Sequence, residues 1–113
     1  MAIATKNRTV ALQLTTSNQD VYTAPPSFKA TVDSILITNS SSSPATVTME
    51  WWNKTDNTYT KLLGGTLIQA GGIVQITDSM AIDQGDLIRA LASAASAITI
   101  TVRATETYTT STL

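Results

Sequence analysis

Apolar and polar residues alternate along most of this chain, and no segment holds a helical period. Val10, Leu12 and Leu14 share one parity and Thr9, Ala11, Gln13 and Thr15 the other, which predicts a strand over residues 8–16. A turn at residues 17–20 leads into a short strand at 21–23, ended by Pro25-Pro26, because proline has no N–H to donate to a ladder. Residues 28–39 form the next strand. Phe28, Ala30 and Val32 share a parity that Ile35 and Ile37 do not, so a β-bulge is expected near Asp33-Ser34. In residues 45–53 the inner row is Ala45, Val47, Met49 and Trp51, and the outer row is Thr46, Thr48, Glu50 and Trp52. A turn at 54–57 makes a hairpin into a strand at 58–63, which Gly64-Gly65 is expected to break. Short strands at 66–69, 73–77 and 87–91 follow, with a tight turn at Asp83-Gln84-Gly85-Asp86. Ile98, Ile100, Val102 and Ala104 form the last inward row.

About eight strands at roughly 10-residue spacing predict an all-β fold, an antiparallel β-sandwich of jelly-roll-like form. The expected organisation is an N-terminal arm at residues 1–7, a sandwich domain at 8–105 and a C-terminal arm at 106–113. Both arms are polar, and in an assembly such ends order on a neighbour.

Charge changes the picture. Only 13% of the 113 residues are charged, and the net charge is −1. About 25% is ordinary, and soluble monomers usually keep their net charge away from zero. Either protein partners cover much of the surface, or serine and threonine keep it polar. Few charged residues guard the strands, so open edges favour pairing with neighbouring subunits and a homo-oligomer. The scattered basic residues leave no footprint for nucleic acid. No apolar run approaches the roughly 20 residues of a membrane span, and no signal peptide is evident, so synthesis in the cytoplasm is expected.

Chemistry is sparse. The chain has no cysteine and no histidine, so disulfides and Ser-His or Cys-His catalysis are excluded and a transition-metal site is not expected. No catalytic residue, metal or cofactor is assigned, and the chain is not expected to be an enzyme. Asp78, Asp83 and Asp86 lie around turns, where aspartate bonds the local backbone; their spacing does not match a calcium loop. Glu50 and Glu106, the two glutamates, lack the paired placement a glycosidase needs. Trp51-Trp52 is the informative pair, since adjacent strand residues face opposite sides. Trp51 is expected inward and Trp52 outward, as an interface anchor, a stacking platform for a sugar, or a ring lying on its own sheet. Tyr59, Tyr22 and Tyr108 join Trp52 as candidate interface residues, and Tyr59 and Tyr22 serve the carbohydrate-binding alternative.

Taken together, the Val21-Tyr22-Thr23-Ala24-Pro25 turn, the 30–39 strand, the serine-rich turn into Ala45–Trp52, Ile68-Gln69-Ala70-Gly71-Gly72, and the stretch from Ile82 to Ala90 resemble small β-sandwich structural proteins of tailed-bacteriophage virions. The resemblance covers about residues 12–102. It implies a virion location and a capsid decoration (cement) role stabilising the particle through inter-subunit contacts. Neck, tail or tail-fibre accessory placement is the alternative. Its implied partners are the major capsid protein or neck and tail proteins.

Overall fold

The computed structural model describes residues 5–108. Nine strands form: β1 (Thr5–Gln13), β2 (Gln19–Thr23), β3 (Phe28–Asn39), β4 (Ala45–Asn53), β5 (Thr58–Ile68), β6 (Ile73–Ile76), β7 (Met80–Ile82), β8 (Leu87–Ala92) and β9 (Ile98–Tyr108). They build two antiparallel sheets packed as a sandwich, one five-stranded in the order β1-β9-β3-β6 with β7 also on β3, one four-stranded in the order β2-β8-β4-β5. β6 pairs with Ile35–Thr38 and β7 with Ala30–Val32, along one edge of β3. The two act as a single interrupted strand. Successive strands otherwise alternate between sheets, apart from the β4–β5 hairpin, which is the jelly-roll arrangement the sequence pattern predicts.

The inward rows meet between the sheets. Leu14, Ile37, Val47, Met49, Ile88, Ile98, Ile100 and Val102 are all fully buried. These are β-branched and long aliphatic side chains on alternating positions, so each strand contributes one face to the core. The parity change in β3 is a register shift between Val32 and Ser34 against β9. The same place separates β6 from β7, because a bulge bends the strand and interrupts its edge partner.

Three strand assignments differ from expectation. The pairing does not end at Gly64-Gly65: Thr48 pairs with Gly64 and Val47 with Thr66, leaving Gly65 as the extra residue of a bulge at φ 71°. A glycine in the left-handed region absorbs one residue without ending the ladder. β7 was not anticipated, since three residues carry too little alternation to register. The first and last strands of the chain, β1 and β9, also run further than the alternation predicts. Thr5, Lys6 and Asn7 pair with Thr107, Glu106 and Thr105, so residues 5–7 and 106–108 belong to the sheet. The remainder of the two expected arms, residues 1–4 and 109–113, lies outside the described residues.

Candidate protein interface

The two outer faces of the sandwich differ. The five-stranded sheet turns out mainly polar residues, Thr9, Thr31, Thr38, Thr99, Thr101, Thr105 and Thr107 with Asn7, Gln13, Gln75 and Arg103, and carries Leu36 and the exposed Ile73 toward its β6 edge. The four-stranded sheet turns out Trp52, Tyr59, Leu87, Leu91 and Leu67 around a row of charges, and Leu67 is 57% exposed.

The charges are placed by register. Asp20 of β2 pairs with Arg89 of β8, Arg89 with Glu50 of β4, and Glu50 with Lys61 of β5. The row therefore crosses the whole sheet with the signs negative, positive, negative, positive. Arg89 Nε donates to Glu50 Oε1 at 2.9 Å, and Nη2 stands 2.8 Å from the same oxygen as an ion pair. Asp20 and Lys61, at the ends, make no ion pair among the described residues.

Beside this row lie the aromatic residues. The Arg89 guanidinium sits 3.6 Å from the centre of the Tyr59 ring, within cation–π range. Tyr59 and Trp52, directly opposite on β5 and β4, have ring centres 6.2 Å apart and tilted by 35°. The Trp52 indole N–H donates to Asn57 Oδ1 at 3.3 Å, tying the ring to the hairpin turn. Tyrosine, tryptophan and arginine are the residue types that dominate binding hot spots, and here all three are held in place before any partner arrives.

The predicted pairing of Trp51 inward and Trp52 outward is what the structure shows: Trp51 packs against the core, and Trp52 lies on the outer face beside Tyr59. Arg89 was not singled out from sequence. Its outward parity was visible, but its position over Tyr59 and against Glu50 depends on cross-strand register.

Tyr22 is a correction. It is 2% exposed, so its ring is not available to a partner. A bulge between Asp20 and Tyr22 turns Val21 and Tyr22 inward together. The phenol donates to Glu106 Oε2. Glu106 continues the inward parity of Ile98, Ile100, Val102 and Ala104 and is fully buried. Lys6 Nζ and Arg8 Nη1 each lie 3.5 Å from one of its carboxylate oxygens, and both cations remain about half exposed. Arg8 also stands 5.7 Å over the Tyr22 ring. This cluster closes the margin between β1 and β2, where the edge strand points charges inward. Burial, then the bond to Glu106, pushes the Tyr22 phenol pKa well above its usual value.

Tyr108 is at the far end of β9 and packs edge-on against Phe28 at 5.4 Å, on the other sheet from Trp52 and Tyr59. It is not part of the same surface. Asp86 is buried and accepts from the backbone N–H groups of Lys54 and Asp83 at 3.0 and 3.1 Å, which is the turn role expected of an aspartate there. An apolar cavity of about 310 Å³ opens between β5 and β7, lined mainly by Val32, Ile35, Met49, Leu62, Ile76 and Met80.

No protein-family model and no curated protein matches the chain. Solved structures with the same fold exist. One, of Bacillus endospore appendages described as disulfide-linked pili, superposes with a TM-score of 0.58 at 18% identity over 96% of this chain and 89% of that one. The acid-stable capsid of the Helicobacter pylori bacteriophage KHP30 gives 0.54 at 8% identity, over 94% and 89%. The virus-like particle of the extra small virus of the prawn Macrobrachium rosenbergii gives 0.51 at 8% identity, over 95% and 80%. At these identities the likeness is one of fold.

Proposed function

We propose that this protein is a structural subunit of a virus particle, a capsid decoration protein of a tailed bacteriophage that stabilises the particle by binding its neighbours. The observation that carries the reading is the outer face of the four-stranded sheet, where Trp52, Tyr59 and Arg89 form a pre-positioned cluster beside a row of alternating charges. Such a face fits protein better than a small ligand, since its aromatic pair, leucines and paired charges are spread across the sheet. Structures of the same fold serve in capsids and in a pilus. The pilus is described as disulfide-linked, and this chain has no cysteine with which to do the same, which favours the capsid reading. A neck or tail accessory position would use the same face.

Carbohydrate binding is less well supported. A stacking platform needs a free ring face, whereas Arg89 covers one side of Tyr59 at 3.6 Å.

The test is co-sedimentation of the purified protein with particles of the phage that encodes it, prepared without it. Saturable binding at a fixed ratio to the major capsid protein is expected, with resistance of the particles to heat or low salt. Binding to tail structures alone would move the assignment to a tail accessory, and no binding to any particle would overturn it.

A further inference from the structure

The charge row on the four-stranded sheet has a property that a cross-strand stabilising pair does not require: it is complementary to itself. Its order across β2, β8, β4 and β5 is Asp20, Arg89, Glu50, Lys61. Consider a second copy placed face to face on this sheet, with the two-fold axis lying between the sheets and parallel to the strands. Reversing the row then sets Asp20 against Lys61 of the second copy and Arg89 against its Glu50, with the same two pairings in the opposite sense. All four facing pairs are of opposite sign. A two-fold axis perpendicular to the strands would set each charge against its own kind, so the row selects one geometry. That geometry leaves the strands of the two copies aligned, the usual way sheets pack face to face.

The apolar residues fit the same arrangement. Leu87 pairs with Trp52 within the sheet, and Leu91 with Thr48. The reversal that exchanges β8 with β4 therefore brings Trp52 over Leu87 of the second copy and Leu91 over its Thr48. The aromatic ring gains an aliphatic neighbour. The unpaired end charges, Asp20 and Lys61, gain partners.

The area reaches what a specific contact needs. Strands of 5, 6, 9 and 11 residues, at about 4.8 Å spacing and about 3.3 Å rise, project to roughly 500 Å². Two such faces bury roughly 1,000 Å², at the threshold of about 1,000 Å² for a specific interface. The net charge of −1 opposes association little.

We infer that the outer face of the four-stranded sheet is a self-association surface, and that its partner is a second copy of this chain, joined through reciprocal Arg89–Glu50 and Asp20–Lys61 pairs. This rests on reading the protein as an assembly subunit and names the neighbour on that face. With this face taken up by the second copy, a two-fold pair would meet a particle through its remaining surfaces, two sandwiches at once, so that weak individual contacts act together.

The experiment is the solution mass of the purified chain by sedimentation equilibrium at micromolar concentrations, for wild type, Glu50→Arg, Arg89→Glu and an equimolar mixture of the two variants. The expected wild-type species is a dimer. Each variant alone sets like charges face to face and should dissociate at least about tenfold more readily. The mixture should recover the dimer, because every cation of the first variant's central pair then faces a carboxylate of the second's. Arg103→Glu, on the opposite face, should leave the mass unchanged. Circular dichroism confirms that each variant is folded. If a variant fails to fold, Leu91→Lys on the same face replaces it, with dissociation expected. A monomeric wild type, or a dimer indifferent to every change on this face, overturns the inference. A monomer that nevertheless decorates particles would leave the proposed function standing, and a dimer that ignores them would remove that function and keep the interface.

Discussion

The chain's two glutamates occupy opposite settings. Glu50 lies on the outer face of the four-stranded sheet, with Arg89 across the strand gap and the aromatic pair beside it. Glu106 lies between the sheets, fully buried, bound by Tyr22 from the facing sheet and by Lys6 and Arg8 from the edge strand. Each is a carboxylate on a strand, one residue from a threonine or tryptophan that faces the other way. What separates them is what the opposite sheet or solvent presents. A carboxylate taken out of water must be matched by donors and cations, so Glu106 ties three strands together and serves the fold. A carboxylate on the outer face, already paired with Arg89 and only partly exposed, contributes less to stability and keeps one side open to a partner.

This contrast can be broken at its strong end first. Glu106→Ala should be the most damaging change, lowering unfolding free energy by about 3 kcal/mol in urea titrations. It leaves the Tyr22 hydroxyl without its acceptor and two cations without their counter-charge, although their half exposure moderates the loss. A loss under about 1 kcal/mol would mean that Glu106 is not the organising group of that margin.

Tyr22→Phe comes next, at about 2 kcal/mol near neutral pH, because the buried carboxylate loses a hydrogen bond. Its pH dependence sharpens the comparison. The folded phenol holds its proton to higher pH than the unfolded one, whose pKa is about 10. Above that pH the folded state binds more protons than the unfolded state, so stability falls as pH rises. This contribution is complete below about pH 10 and is lost at higher pH, and the phenylalanine variant lacks it. Urea midpoints between pH 8 and 11 should therefore converge for wild type and variant.

Glu106→Gln keeps the acceptor for Tyr22 while removing the charge, and should cost about 1 kcal/mol, less than the alanine change. Smallest of all in stability is Glu50→Ala, at or below about 1 kcal/mol, since its ion pair with Arg89 is only partly buried. A large thermal destabilisation from Glu50→Ala would show that the surface row serves the fold after all, and would erase the distinction between the two glutamates.

Much of the architecture was legible from alternation alone. The inward rows of β3, β4 and β9, the bulge at Asp33-Ser34 and the opposed tryptophans follow from the two-residue period of a strand, which is a local property. Local signals do not decide every position. Gly64-Gly65 looks the same in a sequence whether it ends a strand or bulges within it, and Tyr22 changes face because one extra residue enters β2. Glu106 shares the parity of the inward row before it, yet a charged residue near a polar tail reads as surface until its partners are known.

The sequence by itself therefore determined the class of fold and which side of most strands faces the core, because side-chain direction is written into spacing. Only the tertiary structure decided which strands lie beside each other. That fixed the partners of Glu106, drawn from residues 6, 8 and 22, and the alternating row of Asp20, Arg89, Glu50 and Lys61, drawn from four strands. The physical reason is that register is set by long-range pairing, and no spacing along one strand specifies which residue will stand opposite on the next.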